Sequence, residues 1–330
     1  MEEKVDILLA TYNGEKYIKE QIESILNQTY KNIQIIISDD CSKDGTRQIL
    51  KEYEKNDKIK VFYQEENLGY VKNFEFLLKQ VESNLYMLSD QDDVWKKEKI
   101  EKTVEKLQKE NLDLVFGDLE VVDENLNTLY KSYNQYMHLT HKIKKYCKDY
   151  RLQYLYNCMT GCTMLSKKEW IDKILPFPLD SKYVIHDYWI GLIIALNGKV
   201  GYLSEPYILY RQHGTNQVGT KKASKQYNEL KKVRDLSIDI RIGTFETYAK
   251  NEQIFNEKLR KQNKEALEYF KMLKTKENFN FRNWYLFYKL YKTESFMQYM
   301  KNFMVLNMPF ITKVMFYIEC TILKLLGKRK

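Results

Sequence analysis

Short apolar runs alternate with helically spaced apolar residues along the first ninety residues. The runs predict four strands, at Val5–Ala10, Ile33–Ile37, Ile59–Tyr63 and Leu85–Leu88. Between them, apolar residues recur at the three-to-four-residue spacing of one helix face. The run Ile33–Ile37 is largely β-branched and continuous, which is typical of a strand buried on both faces. The β-α-β-α-β-α-β alternation predicts an α/β fold, with a Rossmann-like, mostly parallel sheet flanked by helices.

The pattern changes in the second half of the chain. The predicted elements there are strands at Leu112–Phe116 and Leu119–Val122, a strand at Thr160–Ser166 entered through Gly161, a helix at His186–Gly198, and two short strands within VGYLSEPYILYRQHG. After about Val218 the sequence becomes helical and basic, with six Lys or Arg against two acidic residues in Lys221–Asp235. We therefore expect a first domain over residues 1–219 and a helical, basic C-terminal region over residues 220–330.

The last segment, Pro309–Lys330, is amphipathic on a helical wheel. Ile311, Ile318 and Leu325 share one apolar face, and lysines occupy the opposite stripe. Charges interrupt the segment too often for a transmembrane span, which needs about 20 apolar residues. The pattern is typical of a helix lying on an anionic bilayer, although the same face could instead pack on the protein's own core.

Composition adds size and charge to this picture. The chain has 330 residues, of which 44% are apolar and 30% charged, and this suits a folded protein of one or two domains. The formal net charge of +9 is compatible with an anionic membrane, a phosphorylated substrate or nucleic acid. Because the basic residues concentrate in the helical tail and the predicted cleft is acidic, no nucleic-acid partner is expected.

Cysteine usage and the N-terminus bear on the compartment. The five cysteines are irregularly spaced and show no disulfide framework, and the N-terminus lacks an apolar signal-peptide core. These features predict a cytoplasmic protein, peripheral at the inner face of the cell membrane if the last segment binds lipid.

Polar residues follow three of the predicted strands at the point where each strand ends. Thr11–Asn13 follow the first strand, Asp39–Asp40 the second, and Asp90–Asp93 the fourth. The carboxyl ends of parallel strands meet at one edge of a sheet, and ligands bind there. Residues far apart in the sequence are therefore predicted to converge on one rim.

Three carboxylates, Asp90, Asp92 and Asp93, fall within four residues directly after an apolar strand. Carboxylates this close repel one another, and their removal from water costs several kcal/mol each unless a cation pairs with them. Hard oxygen ligands select Mg²⁺, Mn²⁺ or Ca²⁺, and two carboxylates with open coordination positions suit a metal that also holds phosphates. A solvated turn that caps the next helix is the simpler alternative, and Asp93 could serve only in that way.

A metal bound together with phosphates implies a nucleotide. The sequence contains neither G-x-G-x-x-G nor G-x-x-x-x-G-K-[ST], which argues against NAD-dependent enzymes and P-loop ATPases. A buried carboxylate after the second strand can accept the imide N–H of a pyrimidine base. We assign this role to Asp40, with Asp39 in support.

Several ordered motifs together resemble one enzyme family. The stretches ILLATYNGEKYIKEQIESILNQTYKNIQIIISDDCSKDGT, ENLGYVKNFE, LSDQDDVW, HDYW and YRQHG are similar to those of the inverting glycosyltransferases of family 2, which have the GT-A fold. The DQDDVW and RQHG variants are similar to bacterial rhamnosyltransferases that act on cell-surface polysaccharide. The resemblance covers about residues 4–219.

The resemblance implies roles for individual residues. Asp90-Gln91-Asp92 stands for the family's D-x-D metal motif, and Asp187 stands where the family places its catalytic base. The family usually has a glutamate-aspartate pair where this chain has His186-Asp187, so the role of His186 is left open. Helix N-capping is the alternative for Asp187. Nucleotide contacts are implied for Ala10, Thr11, Tyr12 and Asp40.

Further candidates surround these positions. His213 could bind the metal or the diphosphate, or be a solvated loop residue, and Arg211 is a candidate phosphate clamp. Asn67, Gly69 and Asn73 are expected on the nucleotide side, where Gly69 could equally be only a turn. The acceptor side is expected to include Gly161, Cys162, Thr163, His186 and Trp189.

The expected activity follows from the resemblance. It implies a Mg²⁺- or Mn²⁺-dependent transfer of a sugar from a nucleotide diphosphate sugar to a hydroxyl of a lipid-linked or growing cell-surface glycan. The first donor candidate is dTDP-rhamnose, and a UDP-sugar is the next. A nucleotide-sugar or glycan binding protein of the same fold, without catalysis, is the alternative.

Overall fold

The computed structural model describes residues 2–137, 139–140, 143, 154, 158–179, 181, 183–214 and 227–275. The chain divides into two compact units, one of residues 1–179 and 185–220 and the other of residues 180–184 and 221–330. The short segment 180–184 belongs with the second unit, which the sequence pattern did not indicate. The functional division expected after residue 219 stays a prediction.

Strands and helices alternate through the first unit. In chain order they are β1 (Val5–Thr11), α1 (Ile18–Leu26), β2 (Ile33–Asp39), α2 (Thr46–Tyr53), β3 (Ile59–Tyr63), α3 (Tyr70–Lys79), β4 (Leu85–Ser89), β5 (Val94–Trp95), α4 (Lys99–Lys109), β6 (Leu114–Val122), β7 (Thr128–Tyr130), α5 (Tyr133–Tyr136), β8 (Leu165–Lys167), α6 (Ile171–Ile174), α7 (His186–Asn197) and β9 (Val200–Arg211). Short 3₁₀ turns at Gly161–Thr163 and Lys168–Trp170 flank β8.

The described strands form one sheet of nine. Its order is β3-β2-β1-β4-β8-β6-β9-β5, with β7 paired to β6 outside this path. The four strands β3, β2, β1 and β4 are parallel, as are β6 and β9, whereas β8 runs antiparallel to both of its neighbours. The prediction of a mostly parallel sheet flanked by helices is confirmed.

Apolar burial holds the parallel strands in place. β2 is buried at all seven positions and β4 at all five. Ile18, Ile22 and Ile25, one face of α1, belong to the same buried cluster as Ile7 and Ile35 of the sheet. Full burial of one such side chain contributes about 1.5–3 kcal/mol. The packed core therefore holds the strands in register and fixes where their carboxyl ends lie.

Five predicted strands in the second half correspond to three strands of the structure. The runs at Leu112–Phe116 and Leu119–Val122 belong to the single strand β6, and the two short strands expected near the end of the unit are the single strand β9. The register between β6 and β9 shifts on either side of Asp118, which explains why each strand looks interrupted in the sequence. The strand expected at Thr160–Ser166 begins only at Leu165, because a 3₁₀ turn occupies Gly161–Thr163.

The second unit contains two long helices among its described residues, α8 (Tyr227–Lys250) and α9 (Glu257–Thr275). Phe245 of α8 stacks on Phe270 of α9, with ring centroids 5.8 Å apart. The predicted helical character of the C-terminal region is confirmed for this part. None of the described helices combines the length and apolar character needed to cross a bilayer. The amphipathic segment predicted at Pro309–Lys330 lies outside the described residues.

Candidate active site

Parallel pairing brings the ends of β1, β2 and β4 to one edge of the sheet. Thr11 lies opposite Asp39, and Leu9 lies opposite Ser89. Beyond the paired residues, the backbone N–H of Asp40 donates to the Thr11 carbonyl at 2.8 Å. The predicted convergence of these strand ends is confirmed.

Asp39 is fully buried and paired with Arg47. Arg47 Nε donates to Asp39 Oδ2 at 2.5 Å, and the Ser42 N–H donates to the same oxygen at 3.2 Å. Arg47 also donates through Nη2 to the Gln64 carbonyl at 2.7 Å, which ties the end of β2 to the residue that follows β3. These contacts fit the supporting part expected of Asp39.

Asp40 holds the loop that leads into α3. The Leu68 N–H donates to its Oδ1 at 2.6 Å and the Gly69 N–H to its Oδ2 at 2.9 Å. Asn67 Nδ2 donates to the Asp40 backbone carbonyl at 3.1 Å. Gly69 has φ +78°, in the region that favours glycine, and this turn aims both N–H groups at the carboxylate. The imide N–H of a pyrimidine base would therefore have to share an Asp40 oxygen with one of these two N–H donors, or displace that donor.

Asn73 lies behind this turn. Its Nδ2 donates to the Ser38 carbonyl at 3.1 Å, and the side chain is buried. Asn73 thus contacts the end of β2 just before Asp39, and its role in shaping the nucleotide side stays a prediction.

The three aspartates after β4 have different surroundings. Asp93 is buried, and its Oδ1 accepts from the Arg211 N–H at 3.3 Å. It does not cap the following helix, because the N-cap of α4 is Glu98. Burial, and then the charges of Asp92 and Asp187, raise the pKa of Asp90 to about 7. Burial and the neighbouring carboxylates likewise raise the pKa of Asp93 well above its ordinary value.

Lys99 is a buried lysine beside these carboxylates. Its Nζ lies 2.9 Å from the centroid of the Trp95 ring and has no hydrogen-bond partner within the described part of the chain. Burial lowers the pKa of Lys99 well below its ordinary value, and the charges of Cys162, Asp93 and Asp90 oppose this shift. The Cys162 thiol lies within 4.8 Å of one oxygen of each of these aspartates. Burial therefore disfavours the charged form of Lys99, as it does the charged forms of Asp90 and Asp93.

Asp92 and His213 are in contact although 121 residues separate them. His213 Nε2 lies 2.8 Å from Asp92 Oδ2, and the two side chains are largely buried. The His213 ring packs against the Tyr17 ring, with centroids 4.9 Å apart. The structure thus brings together two of the residues predicted to bind metal.

The Arg211 guanidinium donates hydrogen bonds to three acceptors within the protein. Its Nε donates to the Asp92 carbonyl at 2.9 Å and its Nη1 to the Glu124 carbonyl at 2.6 Å, and its Nη2 donates to the Glu20 carboxylate. The guanidinium also lies over the Tyr17 ring, 4.7 Å from its centroid. A phosphate clamp needs donors that face the cleft, so the expected role of Arg211 is corrected: it braces the turn that carries Asp92.

Asp187 lies in the first turn of α7 and is mostly buried. The Gly161 N–H donates to its Oδ2 at 3.2 Å, and the Tyr188 N–H donates to its Oδ1 at 2.6 Å. Asp187 is not the helix cap, because the N-cap position is Ile185. A Cβ on Gly161 would lie 3.2 Å from Asp187 Cβ and 3.6 Å from Leu88 Cδ1, so Asp187 packs beside the end of the strand that leads into Asp90.

His186 is held in an aromatic cluster beside Asp187. Its ring stacks on Phe74 with centroids 4.2 Å apart and meets the edge of Tyr70 at 5.9 Å. Burial lowers the pKa of His186, so the neutral ring is favoured. Tyr70 is 41% exposed, and burial together with the charge of Asp187 raises the pKa of its hydroxyl. Tyr70 therefore presents an aromatic surface close to Asp187.

The predicted acceptor-side residues lie in three different surroundings. Gly161 and His186 lie against Asp187, since a Cβ placed on Gly161 would be 3.2 Å from Asp187 Cβ and 3.3 Å from His186 Nε2. Cys162 and Thr163 are buried behind them. Trp189 is 2% exposed, and its Nε1 donates to the Ile174 carbonyl at 2.9 Å. Its placement on the acceptor side is corrected, because it belongs to the core.

The side chains near the rim fit a hard divalent cation. Burial is the main cause of the raised pKa of Asp90, and repulsion from Asp92 and Asp187 adds to it; a bound cation would relieve both effects. Carboxylate oxygens are the ligands suited to Mg²⁺ and Mn²⁺. Among the described residues, Asp90, Asp93 and Cys162 have ligand atoms that all lie within 4.8 Å of one another and could share one ion. Asp90, Asp92 and His213 stay the predicted metal ligands, and of these His213 contacts Asp92.

The sequence interpretation missed Lys99 and Tyr70. Lys99 occupies the buried stripe of α4 that also contains Thr103 and Leu107, and this position was the available signal. Tyr70 carried no distinguishing local signal, since its proximity to Asp187 depends on the packing of α3 near α7.

Two solved structures share the fold of this chain. Staphylococcus aureus TarS, residues 1–349, in complex with UDP-GlcNAc aligns with a TM-score of 0.51 and 18% identity, covering 82% of this chain and 72% of TarS. The mannosyltransferase PcManGT from Pyrobaculum calidifontis, in complex with GDP-Man and Mn²⁺, aligns with a TM-score of 0.52 and 14% identity, covering 100% of this chain and 89% of PcManGT. The fold is that of the GT-A glycosyltransferases, as predicted.

Sequence comparisons establish the family. The model of glycosyl transferase family 2 matches residues 6–175. The dTDP-rhamnosyl transferase RfbG of Shigella flexneri is 31% identical over 241 residues, covering 69% of this chain and 79% of RfbG. The putative teichuronic acid biosynthesis glycosyltransferase TuaG of Bacillus subtilis is 41% identical over 102 residues, covering 31% of this chain and 40% of TuaG. The chain belongs to glycosyltransferase family 2, and the prediction of a glycosyltransferase similar to rhamnosyltransferases is confirmed.

Proposed function

We propose that this chain is an inverting glycosyltransferase that moves a sugar from a nucleotide diphosphate sugar to a hydroxyl of a lipid-linked or growing cell-surface glycan. The likeness to RfbG supports dTDP-rhamnose as the first donor candidate, with a UDP-sugar next. The observation that carries the proposal is the packing of Asp187 beside the end of β4. A Cβ on Gly161 would lie 3.2 Å from Asp187 Cβ and 3.6 Å from Leu88 Cδ1, and Leu88 is two residues before Asp90.

The nucleotide lies at the ends of β1 and β2 in this proposal. Asp40 and the Gly69 turn meet the base edge, and Asn67 supports the Asp40 backbone. Tyr12 is 44% exposed, and its ring offers a flat apolar face for the base. Ala10, half-buried at the end of β1, leaves the backbone accessible to the nucleotide.

The diphosphate lies toward Asp90 and Asp92. A divalent metal bound there supplies Lewis-acid stabilisation of the negative charge that develops on the departing diphosphate. Arg211 fixes the turn that carries Asp92 by donating to the Asp92 backbone carbonyl.

Asp187 acts as the general base. Each of its oxygens accepts one backbone N–H, and these two hydrogen bonds fix the orientation of the carboxylate that would receive the proton of the acceptor hydroxyl. As the hydroxyl oxygen attacks the anomeric carbon, its proton passes to an Asp187 oxygen. The base compensates for its low basicity by its fixed position. Attack on the face opposite the diphosphate inverts the anomeric configuration.

Tyr70 and Gly161 border the space beside Asp187 where an acceptor sugar would sit. An aromatic face suits a sugar, because the ring can cover its apolar C–H surface. The exposure of Tyr70 supports it for this role, whereas Trp189 is buried.

Transfer assays with the purified chain test the proposal. The assay combines a panel of dTDP- and UDP-sugars, Mg²⁺ or Mn²⁺, and a lipid-linked glycan acceptor. Asp187→Asn keeps the shape of the side chain and an oxygen acceptor but loses basicity. We expect transfer to fall by about 10²- to 10⁴-fold while dTDP binding is retained. Asp172→Asn, at an exposed carboxylate of α6, is the matched control.

Two outcomes would contradict the proposal. Full transfer by Asp187→Asn would remove the base assignment. Tight donor binding by the wild type with neither transfer nor donor hydrolysis would favour the binding protein without catalysis.

A peripheral membrane location is part of the proposal. It is supported by the net charge of +9 and by the amphipathic pattern of Pro309–Lys330. Co-sedimentation with vesicles of anionic phospholipid should exceed that with neutral vesicles and weaken as salt rises. Equal co-sedimentation with both vesicle types would contradict this part.

A further inference from the structure

Gln91, the middle residue of the Asp90-Gln91-Asp92 motif, is hydrogen-bonded to the loop after β1. Its Oε1 accepts from Thr11 Oγ1 at 2.6 Å and from the Tyr12 N–H at 2.8 Å. Its Nε2 donates to the Tyr12 carbonyl at 3.1 Å. One side-chain amide thus pairs with both backbone groups of Tyr12 and with the Thr11 hydroxyl.

This contact continues the pairing of β1 and β4 beyond the end of the ladder. The register of the two strands is defined up to Leu9 and Ser89. The next residues leave the sheet, and the Gln91 amide replaces the missing backbone partners of Tyr12. An amide that pairs with both an N–H and a C=O fixes a loop more firmly than a single hydrogen bond does.

The space around Gln91 is closed by Gly14. A Cβ on Gly14 would lie 2.4 Å from Gln91 Oε1, 2.8 Å from its Cδ and 2.9 Å from Thr11 Oγ1. No side chain fits there unless the amide moves. The position of the Gln91 amide is therefore set by packing as well as by hydrogen bonds.

We infer that Gln91 is a positioning residue that couples nucleotide binding at Thr11 and Tyr12 to cation binding at the two aspartates on either side of it. The inference rests on the proposed function. Gln91 needs no contact with either ligand, because it links the loop that meets the nucleotide to the turn that meets the cation. Coupling of this kind is reciprocal, so each ligand tightens the binding of the other by the same factor.

Calorimetry with dTDP, in the presence and absence of Mn²⁺, tests this coupling. Gln91→Met has a similar length and removes all three hydrogen bonds. We expect the factor by which Mn²⁺ tightens dTDP binding to fall about tenfold in Gln91→Met. Binding of dTDP without Mn²⁺ should weaken by only about threefold. Gln108→Met, on the exposed side of α4, is the matched control and should keep the wild-type factor.

The outcomes separate this inference from the proposed function. A wild type that binds neither dTDP nor UDP would overturn the proposed function itself. The role of Gln91 would be overturned if Mn²⁺ tightened dTDP binding by the same factor in the wild type and in Gln91→Met. If Gln91→Met does not fold, Thr11→Val is the second variant, because it removes one of the three hydrogen bonds. In Thr11→Val, the factor by which Mn²⁺ tightens dTDP binding should fall, but by less than in Gln91→Met. An unchanged factor in Thr11→Val would then overturn the inference.

Discussion

The backbone N–H of Gly161 donates to Asp187 Oδ2 at 3.2 Å, joining the 3₁₀ turn before β8 to the first turn of α7. Gly161 has no side chain to separate the two segments, and a Cβ there would lie 3.2 Å from Asp187 Cβ. The proposed base is therefore held by a backbone donor that only a close approach allows.

Gly161→Ala should displace Asp187 by a few tenths of an ångström. Because a base works through its position, we expect kcat to fall about tenfold while KM for the donor changes by less than about twofold. Steady-state kinetics of transfer would measure both constants. Gly117→Ala is the control, since a Cβ there meets its neighbours at 3.7–4.0 Å. An unchanged kcat in Gly161→Ala would show that the contact does not position the base.

His186→Phe should make the protein less sensitive to acid. Burial lowers the pKa of His186 below its ordinary 6.5, so the unfolded chain binds the proton more readily than the folded protein. The stability that neutral His186 contributes is fully present above pH 6.5. It is lost as the pH falls through the pKa of His186 in the folded state, because the unfolded chain then gains a proton that the folded protein does not bind. Phe keeps a ring against Phe74 but does not titrate.

Urea unfolding at pH 7 and pH 5 measures the effect. The wild type should lose more free energy of unfolding between these pH values than His186→Phe, by on the order of 1 kcal/mol. Asp90 and Asp93 titrate in both proteins, so their contribution largely cancels in the difference. Equal losses would mean that His186 is not kept neutral by the fold.

Arg211→Lys should lower stability rather than phosphate affinity. Lysine cannot reproduce the three-way contact with Asp92, Glu124 and Glu20, and we expect a loss of about 1–3 kcal/mol in the free energy of unfolding. The ratio of dTDP affinity to thymidine affinity should remain as in the wild type. Arg260→Lys, at an exposed position of α9, serves as the control. A tenfold drop in that ratio at unchanged stability would restore the phosphate clamp.

Asp92→Asn and His213→Gln should each weaken Mn²⁺ binding at least about tenfold. The double variant should lose less than the product of the two single effects, because the side chains are in contact. Electron paramagnetic resonance of Mn²⁺ measures the affinity directly, without an activity assay. Asp57→Asn, an exposed aspartate before β3, is the control. Wild-type affinity in both single variants would place the metal elsewhere.

The first four strands could be predicted from the sequence because their information is local. Runs such as Ile33–Ile37 are apolar at every position, and β2 is indeed buried along its whole length. Once parallel pairing is assumed, the meeting of Asp39 and Thr11 at one edge follows from topology. β6 was harder to predict, because its register shift beside Asp118 interrupts the alternation that identifies a strand.

The amino-acid sequence by itself determined the class of fold and which carboxylates stand at the strand ends, since apolar periodicity and strand order are properties of neighbouring residues. Only the tertiary structure decided what each polar group contacts. It turned the donors of Arg211 toward Glu20 and Glu124, and it buried Lys99 against Trp95 beside the carboxylates. Hydrogen bonds and charges act through space over a few ångströms, and the partners of Arg211 come from segments more than eighty residues away in the chain.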